Sequence, residues 1–197
     1  MIDVSRETQE RLDIYANLLT TWTKKINLIS ASSVPDIWTR HISDSAQLYQ
    51  LAPKDWRVWA DLGSGGGLPG LVIAILGVEC PTREVVLVES DARKSAFLRT
   101  AIRETGVNAR VVQSRIEILA PLAADVLSAR ALASLTDLLA YTQRHLSAGG
   151  VAFFPKGQKA QLELDEALER WTFACEKHPS KTDASGVILS IGDVKRA

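Results

Sequence analysis

The stretch ADLGSGGGLPG, residues 60–70, holds five of the twelve glycines in the 197-residue chain and constrains its fold more than any other feature. It follows an apolar run and opens a helical one. Glycines there let the backbone turn tightly and approach a ligand without a Cβ in the way. Such a loop at the carboxyl end of a first strand is where open α/β sheets bind nucleotides. Two frames fit. Gly65-x-Gly67-x-x-Gly70 has the spacing of a dinucleotide fingerprint, whereas Asp61-x-Gly63-x-Gly65-x-Gly67 has that of the nucleoside loop of an S-adenosylmethionine methyltransferase. Five glycines exceed the needs of a plain turn. No G-x-x-x-x-G-K-[ST] is present, which excludes a P-loop.

The flanking pattern supports an α/β sheet. WRVWADL, EVVLVES, ARVVQS, ADVLSA and VAFFP are apolar runs without period-two alternation, as expected of parallel strands buried on both faces. Helical stretches near 69–77, 91–105 and 134–147 alternate with them, so a doubly wound sheet is expected. A polar helix over 158–170 then precedes WTFACEKH and GVILSIG. Their connection is too short for a parallel crossover, which predicts an antiparallel pair. Upstream, Leu12, Tyr15, Leu18, Leu19, Trp22 and Ile26 form one stripe of a helix over 6–29 with Ser5 as its N-cap, and residues 35–50 read as a second helix.

Candidate ligand residues follow the strands. Glu89 closes the second strand about twenty residues after the loop, placed to accept hydrogen bonds from ribose hydroxyls. NAD and S-adenosylmethionine both carry that ribose. Asp61 discriminates better, because a carboxylate so close to the loop would repel a pyrophosphate; it can hold the loop or meet a methionine amino group. Ser114 and Glu117 can read an adenine edge or form a capping box, and the two readings are compatible. Arg130, after the fourth strand, is either a surface arginine or a group at the acceptor. His41, His145 and His178 lie in different elements and suggest no catalytic dyad.

Composition narrows the class. The chain is 46% hydrophobic and 23% charged, has no apolar run near the ~20 residues of a membrane span, and starts with polar, acidic residues. No leader is expected, and Cys80 and Cys175 have no zinc or disulfide spacing. A cytoplasmic protein without a metal follows. Lys plus Arg equals Asp plus Glu at 23 each, which leaves a local basic patch possible. An RNA surface has candidates in Lys24, Lys25, Arg40, Arg93, Lys94, Arg99, Arg103 and Arg115.

Taken in order, Asn27-Leu28, Arg40-His41-x-x-Asp44-Ser45, the loop Asp61–Gly70, Lys94–Leu98, Ser114-Arg115-x-Glu117, Arg130-Ala131 and Lys156-Gly157 make the chain resemble the RsmG (GidB) family of bacterial 16S rRNA guanine-N7 methyltransferases. The R-H-x-x-D-S element is the most telling, since general methyltransferases lack it. The resemblance implies a class I, Rossmann-like methyltransferase fold with a seven-stranded sheet, in which residues 1–52 are an N-terminal helical extension and 53–197 one S-adenosylmethionine-binding domain. It implies methylation of a guanine N7 in the 530 loop of 16S rRNA, guanine 527 in the usual scheme. Gly63, Gly65, Leu68, Glu89, Ile116, Glu117 and Arg130 would bind the cofactor, and Arg130 and Lys156 would position the base or its phosphate. It implies 16S rRNA, the small ribosomal subunit or its assembly intermediate as partner, with the protein expected to be a monomer. Two departures stand out: Gly66 replaces a more usual alanine or proline, and Pro155 precedes Lys156. His41 is read as a packing residue held by Asp44 or a carbonyl. Two other readings stay open, an NAD(H) oxidoreductase and a non-catalytic RNA- or nucleoside-binding module.

Overall fold

In the computed structural model, which describes residues 4–197, strands β1 (Val58–Leu62), β2 (Glu84–Val88), β3 (Ala109–Val112), β4 (Ala124–Ser128), β5 (Leu146–Lys156), β6 (Trp171–Pro179) and β7 (Val187–Arg196) form one sheet in the order 3-2-1-4-5-7-6. Residues 1–3, part of the segment read for a leader, lie outside the described residues. The first five strands pair in parallel, and β7 inserts antiparallel between β5 and β6. This is the class I methyltransferase arrangement, with the short PSKTDASG connection making the antiparallel ending.

Both sheet faces are dry because successive strand residues feed opposite cores. Trp59, Val85, Leu87, Val126 and Phe153 point to one face, where α1 (Arg6–Thr23), α2 (Asp44–Leu51), α3 (Gly70–Leu76) and α4 (Ala92–Thr105) pack. Ala60, Leu62, Val86, Val88, Leu127 and Phe154 point to the other, under α5 (Leu135–His145) and α6 (Ala160–Leu168). The N-terminal helices therefore share a core with the sheet. Leu12, Tyr15 and Leu19 of α1 are fully buried, and Trp22 meets Phe97 of α4 at a ring separation of 5.6 Å.

Three elements differ from the sequence expectation. Ser5 caps α1 as expected, by accepting from the Thr8 N–H, but the helix ends at Thr23; Lys25 and Ile26 both donate to the Trp22 carbonyl in a closing turn, so Ile26 packs from beyond the helix. The second helix is divided, Trp38–Ser43 winding as a wider π-helical turn before α2. Ser114 forms no capping box: its hydroxyl donates to the Arg115 carbonyl, while Glu117 accepts from the Tyr141 hydroxyl. That tyrosine lies on a distant helix, and its competing hydroxyl is invisible to local spacing.

Phe97 is fully buried between α1, α4 and the sheet. Phe97→Ala is expected to cost about 3–5 kcal/mol in chemical denaturation, because the site cannot collapse around the missing ring.

Candidate active site

The carboxyl ends of β1, β2, β3 and β4 converge on a cavity of about 400 Å³, within the range of small-molecule sites. Gly63 and Gly65 line it after β1, Glu89 and Ser90 after β2, Ser114 to Glu117 after β3 and Ala131 to Ala133 after β4, with Lys94 and Tyr141 from helices.

The glycine loop resolves the two frames. Positive φ falls on Gly63, Gly65 and Gly67, the three positions that follow Asp61 at alternate residues. Gly70 has no such φ; it is glycine because a Cβ would stand 2.3 Å from Leu87 and 2.8 Å from Asp61. Its role is close packing of helix on strand. Gly66 is enclosed by Leu19 and Leu28, and its carbonyl accepts from the buried Tyr15 hydroxyl at 2.7 Å. The glycine at this departure is thus fastened to α1. Burial pushes the Tyr15 hydroxyl pKa upward, so it remains a donor.

Asp61 holds the loop from below. Fully buried, it accepts from the Gly70 N–H at 3.2 Å and from the Ser128 hydroxyl at 2.7 Å, and Trp59 Nε1 donates to that same Ser128 oxygen at 2.9 Å. The carboxylate therefore occupies the helix N–H that a dinucleotide pyrophosphate would need. Burial pushes its pKa up to about 6 against these donors.

Glu89 is also buried, its two oxygens each accepting one backbone N–H, from Gly65 and Asp91, both at 2.8 Å. A carboxylate has about four acceptor positions, so two remain for vicinal ribose hydroxyls. Across the cavity, Leu132 closes over Gly63, where a Cβ would come within 2.5 Å of its side chain. Ile116 supplies an apolar floor, and donation from Tyr141 keeps the Glu117 carboxyl below its ordinary range. Carboxylate acceptors for hydroxyls, apolar walls for a base and a glycine cradle fit an adenosine moiety.

Three sequence candidates stand off the cavity. Leu68 is buried in the core beneath the loop. Arg130 turns toward the N-terminal helices, pairing with Asp44 at 3.3 Å and donating to the Arg40 carbonyl at 3.4 Å and His41 Nδ1 at 3.2 Å. Lys156 donates to Glu163 at 2.7 Å and to the Ala133 carbonyl at 3.3 Å. The loop after β4 is thereby tied at Arg130 to the N-terminal helices and at Ala133 to β5. His41 is held differently from expectation, between Arg130 and the Ser33 hydroxyl at 2.8 Å. Since a guanidinium only donates, His41 Nδ1 accepts and Nε2 carries the proton; burial and Arg130 push its pKa down to about 4. His145 lies buried behind the cavity wall against the Ile116 carbonyl and His178 lies in β6, and neither lines the cavity. Among the described residues, no group of His, Cys, Asp or Glu is arranged to hold a metal.

A family model described as rRNA small subunit methyltransferase G matches residues 8–187. The Ribosomal RNA small subunit methyltransferase G of Ruegeria pomeroyi is 52% identical over 196 residues, covering 99% of this chain and 96% of that protein. This chain belongs to the rRNA small subunit methyltransferase G family. Solved structures agree on the fold of this methyltransferase. A methyltransferase from Geobacter sulfurreducens aligns with a TM-score of 0.61 at 14% identity over 97% of this chain and 92% of that one. A mutant of MtNAS, solved in complex with S-adenosylmethionine, aligns at 0.59 and 16% identity over 93% and 74%.

Sequence reading missed Tyr141, Leu132 and Tyr15, whose partners lie tens of residues away. No motif marks them. Only the tertiary fold of this methyltransferase brings Leu132 and Tyr15 to the glycine loop and Tyr141 to Glu117.

The buried Asp61 carries a pH signature. Its folded pKa of about 6 exceeds the ordinary 3.8, so the native state holds the proton more tightly and stability falls as pH rises from about 4 through about 6. The stability of wild type minus that of Asp61→Asn is expected to decline across that window and level off above it; a flat difference in denaturation experiments would refute this.

Proposed function

We propose that this family member methylates N7 of a guanine in the 530 loop of 16S rRNA, guanine 527 in the usual scheme, using S-adenosylmethionine. The observation that carries the reading is the cavity beside the Asp61-anchored loop, with Glu89 free to take a ribose, in a chain whose relatives are named for small-subunit rRNA methylation. S-adenosylmethionine supplies a methyl group on a positively charged sulfur. Glu89 binds the ribose, Ser114, Ile116 and Glu117 frame the adenosine, Gly63 and Gly65 let the backbone close on it, and Leu68 supports the loop from the core.

Guanine N7 is a lone pair without a hydrogen. Its attack on the methyl carbon moves the positive charge from sulfur to the base and releases no proton, so no general base is needed. That agrees with the three histidines lying outside the cavity. Rate then comes from alignment, an effect that can supply on the order of 7–11 kcal/mol. Arg130 and Lys156, on either side of the post-β4 loop, position the base or its phosphate. The target guanine must be unstacked to reach the cavity.

Residues 1–52 act as a helical extension and 53–197 as the methyltransferase domain. The shared core supports their working as one unit, a cytoplasmic monomer in this reading. Among the described residues no helix is long and apolar enough to cross a membrane. The NAD(H) alternative loses its footing in the Asp61–Gly70 bond.

Incubation with labelled S-adenosylmethionine should label small-subunit RNA from a strain lacking the modification. Absence of label in both naked RNA and assembled subunits would sink the reading. Glu89→Ala should weaken S-adenosylmethionine binding by about 10- to 100-fold, the value of charge-assisted hydrogen bonds. Arg130→Ala should instead reduce transfer on the order of 100-fold with a much smaller change in that affinity, as expected when alignment is lost. Equal losses in both constants for both variants would show that the two roles are not separate.

A further inference from the structure

The π-helical turn Trp38–Ser43 contains the Arg40-His41 half of the R-H-x-x-D-S element, and only part of it is explained by holding Arg130. π-turns recur at functional sites. Trp56, Trp59 and Trp171 are buried and Trp22 packs on Phe97, whereas Trp38 leaves 37% of its surface in water. Part of its indole forgoes the burial that Trp56, Trp59 and Trp171 have. Its neighbours Pro35, Asp36, Thr39 and Arg40 are exposed as well, and most are polar. They form no apolar ring of the kind that seals a protein hot spot.

Arg40 adds charge. Its guanidinium has no ion-pair partner within 4 Å among the described residues; the acid that feels it is the exposed Asp183, whose carboxyl is held down first by Ser185 and last by Arg40. The turn is also coupled to the cavity. The Arg40 carbonyl, His41 and Asp44 all contact Arg130, and the next two residues, Ala131 and Leu132, line the cavity. The turn thus carries a partly exposed indole and a guanidinium without an ion-pair partner, and through Arg130 it is bonded to the segment that lines the methyl-transfer site. Single-stranded nucleic acid is held by this combination, bases stacking on aromatic rings while cations meet the backbone.

We propose that Trp38 stacks a nucleobase flanking the target guanine and that Arg40 contacts an adjacent phosphate, so that the π-turn holds the unstacked strand at the cavity mouth. The inference rests on the rRNA methyltransferase reading. It assigns substrate docking to residues outside the cofactor cavity.

The test uses the full chain, with methylation of unmodified small subunits or their protein-free RNA, whichever wild type accepts. Trp38→Ala should raise the KM for RNA about 10-fold, a typical loss for one base–aromatic stack, with S-adenosylmethionine affinity unchanged. Trp38→Phe should stay within about threefold of wild type and Trp38→Leu should behave like alanine, because stacking needs a π-face. Arg40→Gln should reduce the slope of log KM against log salt by about one phosphate contact, and Trp38→Ala should leave that slope unchanged. An unchanged KM in Trp38→Ala would overturn the proposal. So would full rescue by leucine, which points to an apolar contact with a ribosomal protein instead. Failure of wild type to methylate either substrate would instead overturn the functional reading beneath it.

Discussion

The buried Asp61 carboxylate is the constraint on which the site depends. It joins the start of α3 through the Gly70 N–H to the end of β4 through Ser128, and Trp59 completes the set by donating to Ser128. An ionised group removed from water is costly, and here the donors that offset the cost belong to the elements that must be aligned. The glycine loop is held at its far end by Asp61, through the Gly70 N–H, and at its middle by Glu89, through the Gly65 N–H. Gly70 must lack a side chain for the carboxylate to reach its N–H.

A second set of contacts organises the loop after β4. Arg130 binds the π-turn, and Lys156 binds the Ala133 carbonyl together with Glu163, which also accepts from the Leu135 N–H at 2.9 Å. Asp44 extends the set to the β6–β7 turn by accepting from the Thr182 hydroxyl at 2.6 Å. The N-terminal helices, the post-β4 loop and the antiparallel hairpin thus meet at Asp44 and Arg130. The helical extension is part of the site's architecture as well as of the core.

The sheet was legible because its strands are buried on both faces, which writes unbroken apolar runs such as VVLV and VAFF into the chain. The short connection between β6 and β7 likewise announced an antiparallel pair. The glycine loop was legible in type and ambiguous in frame, since five close glycines satisfy two spacings. Backbone conformation decided between them, with positive φ at Gly63, Gly65 and Gly67 and crowding at Gly70. Side-chain partners were the least legible. Ser114 and Glu117 have capping-box spacing, yet Tyr141 captures Glu117; His41 pairs with Ser33 and Arg130 rather than Asp44. Each of these choices is made by a residue remote in sequence.

Mass mapping of nuclease fragments from small-subunit RNA methylated by this protein locates the transferred group. A single added methyl on the guanine of the 530 loop, at N7, is expected; a methyl on another base, on an exocyclic amine or on ribose would contradict methyl transfer to that N7.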